Sequence, residues 1–284
     1  MRIVCVGLAT VDLIYRVDAI PGPDEKAHAR SAEIVAGGPA TNAAVAAAAL
    51  GADVTLVSAV GAHPLGDLIR ADLDTCGVRL IDAAAGSPAP PPVAAITVAA
   101  STGARSIVSR GAADLSVDVP PGLDLSGADA ILVDGHHPAL ALAAARAGRP
   151  LVVDGGSWRP VFAEVIPHAT AVVCASAFRL PGGVPRGRAG AITDGPRPIR
   201  WWSGVDSGVL DVPRVDAKDT TGAGDVFHGA LAVAVARDPF LDGGLVRALR
   251  FATAVAGVRV AHAGARAWLA DPALAAMGSG FTAP

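Results

Sequence analysis

Short, unbroken apolar runs recur along the chain: Ile3-Val4-Cys5-Val6, Val54-Thr55-Leu56-Val57, Ile131-Leu132-Val133, Leu151-Val152-Val153 and Ala171-Val172-Val173-Cys174. Runs this short and this apolar suit strands buried on both faces, the condition of a parallel sheet. Segments with helical spacing separate several of them, as at Ala139 to Ala147 after the third run. That alternation restricts the chain to an α/β architecture with a mostly parallel sheet. At 284 residues it is long enough for one such domain, taken here as residues 1–284, with a small subdomain.

Two stretches break the rhythm. From Ile14 to Ala36 the chain is mixed, partly charged and interrupted by Pro21-Gly22-Pro23. From Val93 to Ser109 apolar and polar residues alternate around the turn Ser101-Thr102-Gly103. Each reads as strand-turn-strand, and together residues 14–36 and 93–109 predict a small accessory sheet that acts as a lid.

Chemistry concentrates where strands end and helices begin. Asp219-Thr220-Thr221-Gly222-Ala223-Gly224-Asp225 runs straight into Val226, Phe227, Ala230, Leu231 and Val233, which keep helical spacing. The glycines bare the backbone amides at a helix N-terminus, a seat for an anion. Asp225 in that first turn either complements the helix dipole or serves as a proton acceptor beside the anion. A cradle of amides with an adjacent carboxylate suits phosphoryl transfer. A second loop-to-helix junction, Gly37-Gly38-Pro39-Ala40-Thr41-Asn42, permits close backbone approach, and Asn42 either caps its helix or points an amide at a ligand. Asp12, Asp134 and Asp154 follow strand ends, where open α/β sheets bind ligands; a turn or cap role is the alternative for Asp12. His136-His137 lacks a third ligand at useful spacing and reads as a polar loop.

Composition removes other classes. With 17% charged residues, net charge near −3, six Phe and one Tyr, there is no basic, aromatic-rich surface for nucleic acid. No apolar segment is long enough to span a membrane. Cys5, Cys76 and Cys174 are sparse, odd in number and without metal spacing, so reduced thiols and a cytoplasmic location are expected, with no signal peptide. Alanine runs such as Ala46 to Ala49 are read as compositional bias carrying little information individually.

On these motifs the chain resembles the ribokinase-like (pfkB) carbohydrate kinases. Asp219 to Asp225 looks like the family's C-terminal signature, and Gly37 to Asn42 onward looks like its N-terminal one. The resemblance implies a three-layer α/β/α ribokinase-like fold with a small β-sheet lid. It implies that Asp225 is the catalytic base for attack of a sugar hydroxyl on the γ-phosphate of ATP, with Gly222, Ala223 and Gly224 as the anion hole. Asp12, Gly37, Gly38 and Asn42 match sugar contacts; Thr193 and Gly195 match the nucleotide edge, to which Thr221, Gly222 and Gly224 also belong. Asp219 and Thr221 match a monovalent cation site, K+ being the expected ion. Mg2+ would arrive with ATP, on the side of Asp134 and Asp154.

One departure stands out. Where many members carry Asn-x-x-Glu, this chain has Ser176-Ala177-Phe178-Arg179, a place where ketohexokinase-like members also deviate. The favoured acceptor is a small sugar, a fructose-like ketose or related sugar acid, with Arg110 either neutralising an anionic group or standing as a solvated charge. A nucleoside kinase is the enzymatic alternative, disfavoured because Tyr15 is almost the only large ring in the lid. A catalytically silent sugar- or nucleotide-binding regulator is the other. The exposed edges of the lid strands predict a homodimer.

Overall fold

The computed structural model describes residues 1–112, 116–179, 189–238 and 244–280. In chain order the elements begin with β1 (Arg2–Val6), β2 (Thr10–Val17), β3 (Ser31–Gly37), α1 (Pro39–Ala49), β4 (Asp53–Ser58), α2 (Pro64–Thr75) and β5 (Val78–Asp82). Next come β6 (Val93–Ala99), β7 (Arg105–Ser109), β8 (Ala130–Val133), α3 (Pro138–Arg146), β9 (Leu151–Gly155), α4 (Phe162–Val165), β10 (Ala171–Ala175) and β11 (Ala189–Asp194). The chain continues through β12 (Arg197–Ser203), β13 (Asp206–Leu210), α5 (Ala223–Arg237), α6 (Leu245–Val260) and α7 (Pro272–Gly280).

Nine strands form the central sheet in the order β13-β12-β11-β10-β9-β8-β1-β4-β5. It is parallel from β5 to β11, and only β12 and β13 run antiparallel at one end. The inner strands carry the apolar runs, and all four residues of β8 and all five of β9 are buried. Two apolar clusters cover the two faces, one with α1, α5 and α6 and the other with α3 and α4. This is the expected three-layer arrangement.

The second sheet has the order β3-β2-β6-β7. Its outer pairs are antiparallel, while β2 and β6 pair in parallel, so the sheet is mixed. It starts earlier than the expected boundary at Ile14. Asp12 therefore lies within β2, opposite Val35 of β3 and Ala94 of β6, and not in a turn after β1.

Other differences have local causes. α2, for which sequence spacing points to a helix from Asp67 to Cys76, begins earlier, at Pro64, because the His63 ring accepts the Leu65 amide and Pro64 suits a first helical position. On α6, where helical spacing in the sequence points to a face of Leu249, Thr253, Ala256 and Val260, that face is rotated. The buried stripe is Leu245, Ala248, Leu249, Ala252, Val255 and Arg259, with a charged residue inside. The stretch from Ser176 to Arg188, which its Gly, Pro and Arg content marks as an open loop, lies mostly outside the described residues, as 180–188 are not among them.

The alanines of α1 are informative after all. Ala43, Ala44, Ala46 and Ala47 are fully buried against the core, and Gly229 of α5 sits where a Cβ would come within 2.3 Å of the Ala43 carbonyl oxygen. Small residues on both helices set the close approach that brings their N-termini together. Gly229→Ala is expected to lower stability by about 1–3 kcal/mol in denaturant titration despite the better helix propensity of alanine, because the clash is with backbone.

Candidate active site

The N-termini of α1 and α5 open onto one cavity of about 900 Å³, lined by Asp12 and Ile96 of the small sheet and by Asp154, Ala175 and Thr193 near the ends of central strands. Of the residues singled out in the sequence, Asp12, Gly38, Asn42, Arg110, Asp154, Thr193, Thr221, Gly222, Gly224 and Asp225 all line it. Elements 200 residues apart in sequence are thus joined at one place.

The loop before α5 takes its form from Gly222, which caps the helix with φ 70°, a left-handed conformation that glycine enters without strain. Helix geometry leaves first-turn amides without carbonyl partners one turn earlier. The Ala223 amide reaches back to the Thr220 carbonyl at 3.3 Å, and Ala223 does not line the cavity. The cradle is therefore built around Gly222 and Gly224.

Asp225 is half-buried, and its Oδ2 accepts a hydrogen bond from Asn42 Nδ2 at 2.9 Å. Asn42 thus neither caps α1, whose cap is Gly38 with no side-chain bond, nor stands apart from the second motif. Removal from water raises the Asp225 pKa above the ordinary carboxylate range, against the lowering effects of Asn42, His228 and Arg105. Asp12 is buried and accepts from Thr10 Oγ1 at 2.5 Å. Burial pushes its pKa up to about 6, partly offset by Thr10. Gly37 does not line the cavity; it makes room, since a Cβ there would fall 2.0 Å from Asp12 Oδ2.

Asp134 is a brace within the fold. Its Oδ2 accepts the amides of Leu8 and Ala40 at 2.8 and 3.2 Å, and its Oδ1 accepts the His136 amide at 2.9 Å. Despite burial, the neighbouring His136 and these amides hold its pKa at about 2. Its oxygens are thus occupied and the residue is off the cavity wall, whereas Asp154 lines the cavity. Asp154 lies 3.5 Å from His228 Nδ1, and burial raises its pKa. His228 also lies 2.7 Å from the Gly224 carbonyl through Nδ1 and 3.1 Å from the Val173 carbonyl through Nε2. Among the described residues no three His, Cys, Asp or Glu side chains form a ready metal cluster.

Asp219 and Thr221 stand side by side, but their surroundings do not suit a monovalent ion. Asp219 is fully buried with Arg16 and Arg259 at its Oδ2. Gly195 lies in the turn after β11 and off the cavity, whereas Thr193 lines it. The Ser176 hydroxyl bonds Asp194, and Arg179 turns back to the carbonyls of Ser176 and Phe178, so the departure from the family pattern is absorbed locally. Cavity residues that escaped the sequence reading include Arg105, whose Nη1 donates to the Thr220 carbonyl at 2.9 Å, Arg159 and His228, while His136, read as a polar loop, contacts Arg159 on the cavity wall. The signal for Arg159 was its position five residues beyond Asp154, on the same strand-end loop.

An α/β fold in which two helix N-termini meet beside a carboxylate, next to a small sheet, suits handling of an anionic group. The model of the pfkB family carbohydrate kinases matches residues 1–176 and 186–271. The chain belongs to that family and is an ATP-dependent carbohydrate kinase. It is 30% identical to ribokinase of Bacillus subtilis (strain 168) over 288 aligned positions, covering 94% of this chain and 95% of that one. Its fold matches ribokinase from Giardia lamblia with a TM-score of 0.81 at 19% identity, covering 99% of each chain. Ribokinase of Arabidopsis thaliana, solved with ribose and ATP, matches with a TM-score of 0.74 at 21% identity, covering 100% of this chain and 99% of that one.

If Asp12 accepts a sugar hydroxyl, protonation replaces a charged acceptor with a weaker neutral one. The KM for sugar is then expected to rise as pH falls through about 6, and Asp12→Asn should flatten this inflection in a pH–rate series.

Proposed function

We propose that the chain transfers the γ-phosphoryl group of ATP to a hydroxyl of a small sugar, with Asp225 as the base. The observation that carries this is the bond from Asn42 to Asp225 Oδ2 at the mouth of the anion cradle. Asn42 fixes one carboxylate oxygen and leaves Oδ1 to take the proton of the attacking hydroxyl. A raised pKa makes that oxygen a better proton acceptor once ionised. Negative charge developing on the phosphoryl oxygens meets the amides around Gly222 and Gly224 and the positive end of α5. Asp12, Gly38 and Asn42 hold the sugar, and Thr193 and Thr221 meet the nucleotide. Magnesium fits as an ion carried by the nucleotide, where it would neutralise phosphate charge, with Asp154 the available protein carboxylate.

The favoured acceptor is a ketose or related sugar acid. Arg105, Arg110, Arg159 and His136 share the cavity wall with Asp12, which suits an acceptor carrying its own negative charge. Ribose is the second reading, favoured by the name of the Bacillus subtilis relative. The apolar side chains that the small sheet offers the cavity are Ala94, Ile96 and Ile107, with no large ring among them, which argues against stacking a nucleobase. A coupled ADP-release screen across ketoses, sugar acids, phosphosugars, ribose and nucleosides decides among these. Asp225→Asn is expected to lower kcat by roughly 100- to 10,000-fold with any active acceptor. Turnover of no acceptor, or an Asp225→Asn enzyme equal to wild type, overturns the assignment.

The small sheet also supports a homodimer. Its edge strands are β3 and β7, and Ile34, Ile107 and Val108 on them are 60%, 49% and 73% exposed. Light scattering at micromolar concentration should give twice the chain mass; a monomer throughout refutes the dimer.

A further inference from the structure

Asp219 opens the phosphate loop, and its carboxylate is already shared by fixed cations. Its Oδ1 accepts the Thr221 amide at 2.9 Å. Its Oδ2 lies 3.2 Å from Arg16 Nη2 and 3.5 Å from Arg259 Nη2. Arg259 is 3% exposed in the last turn of α6, and its Nη1 donates to the His262 carbonyl at 3.2 Å. One guanidinium therefore bridges a buried carboxylate and a backbone carbonyl, the oxygen types that a monovalent ion would gather. Arg16 closes the other side and donates to the Lys218 carbonyl at 3.2 Å.

We propose that Arg259 is a built-in substitute for a monovalent cation at Asp219, so that the phosphate loop keeps its form without potassium. A guanidinium stays charged at every accessible pH and donates in several directions from one plane, so it can hold carboxylate and carbonyl together as an ion would. An added ion at the same carboxylate would face two permanent positive charges in a buried setting, where their repulsion is poorly screened. The space left beside Thr221 and Arg259 is small. A cavity of about 20 Å³, lined in part by Thr221, Arg259 and Arg266, has room for about one water. Thr221 Oγ1 is buried without a hydrogen-bond partner among the described residues, and a water in that cavity would satisfy it.

The proposal uses the kinase reading only for the role of the loop, and its test reads ion binding directly. The full chain is melted in KCl and in choline chloride at equal ionic strength. Wild-type curves are expected to coincide; a saturable, potassium-specific rise in Tm overturns the proposal. Arg259→Ala leaves the Asp219 carboxylate without its bridge and should melt roughly 10 °C lower in choline chloride, recovering part of the loss in KCl as the ion enters the vacated place. Equal melting of Arg259→Ala in both salts overturns the substitution. Should that variant fail to fold, the wild-type comparison decides. With an acceptor in hand, ADP release by wild type should be unchanged when choline replaces potassium. Turnover of no acceptor would sink the kinase assignment and leave the melting result standing.

Discussion

Everything in the site depends on how closely α1 and α5 approach. Both helices run from the site into the core, and their contact surfaces are alanine and glycine, so the backbones meet without intervening side chains. A larger residue at either surface would move one N-terminus relative to the other. The bond from Asn42 to Asp225 spans that junction and tolerates only tenths of an ångström before it weakens. Packing deep in the molecule thereby sets the aim of a carboxylate at its surface. The dipoles add to this, since both helices present their positive ends where phosphate charge would develop.

The small sheet is tied to the same point from the other side. Arg16 on β2 reaches Asp219 and the Lys218 carbonyl, and Arg105 on β7 reaches Thr220 through its carbonyl and hydroxyl. Thr220 in turn donates to the Gly103 carbonyl in the β6–β7 turn. The covering sheet and the anion cradle therefore share a short segment of chain. Any movement of one strains hydrogen bonds held by the other, which couples the small sheet mechanically to the loop before α5.

Much of this was legible beforehand, for a physical reason. Apolar runs specify buried strands whatever lies around them, and glycine-rich turns declare helix starts, so the layers, the accessory sheet and both loops could be read locally. Asp225, Asn42 and Asp12 were visible because they sit beside those turns. What was hidden depends on long-range packing. Asn42 bonding Asp225 requires two helices separated by more than 180 residues to cross. Asp134 looked like a ligand by its place after a strand, and only the fold shows three backbone amides converging on it. Arg259 gave no signal at all, since no local pattern announces a buried carboxylate 40 residues earlier. The alanines of α1 were discounted as bias when their small size was the point.

Five buried or half-buried aspartates near one cavity would repel one another strongly if each were left bare. The fold gives them different partners. Asp134 is neutralised by backbone amides and His136, and its pKa falls to about 2. Asp219 is held by two guanidiniums, and Asp154 lies against His228. Asp12 and Asp225 receive only neutral side-chain hydrogen bonds, from Thr10 and Asn42. Nearby cations act on both, Arg266 on Asp12 and Arg105 on Asp225, yet burial outweighs them and raises both pKa values. A carboxylate in that condition gains most from a new hydrogen-bond donor, and a sugar supplies several hydroxyls. Asp134 and Asp219 are satisfied by amides and guanidiniums, whereas burial outweighs the partners of Asp12, Asp154 and Asp225, so the carboxylates open to new donors all line one cavity.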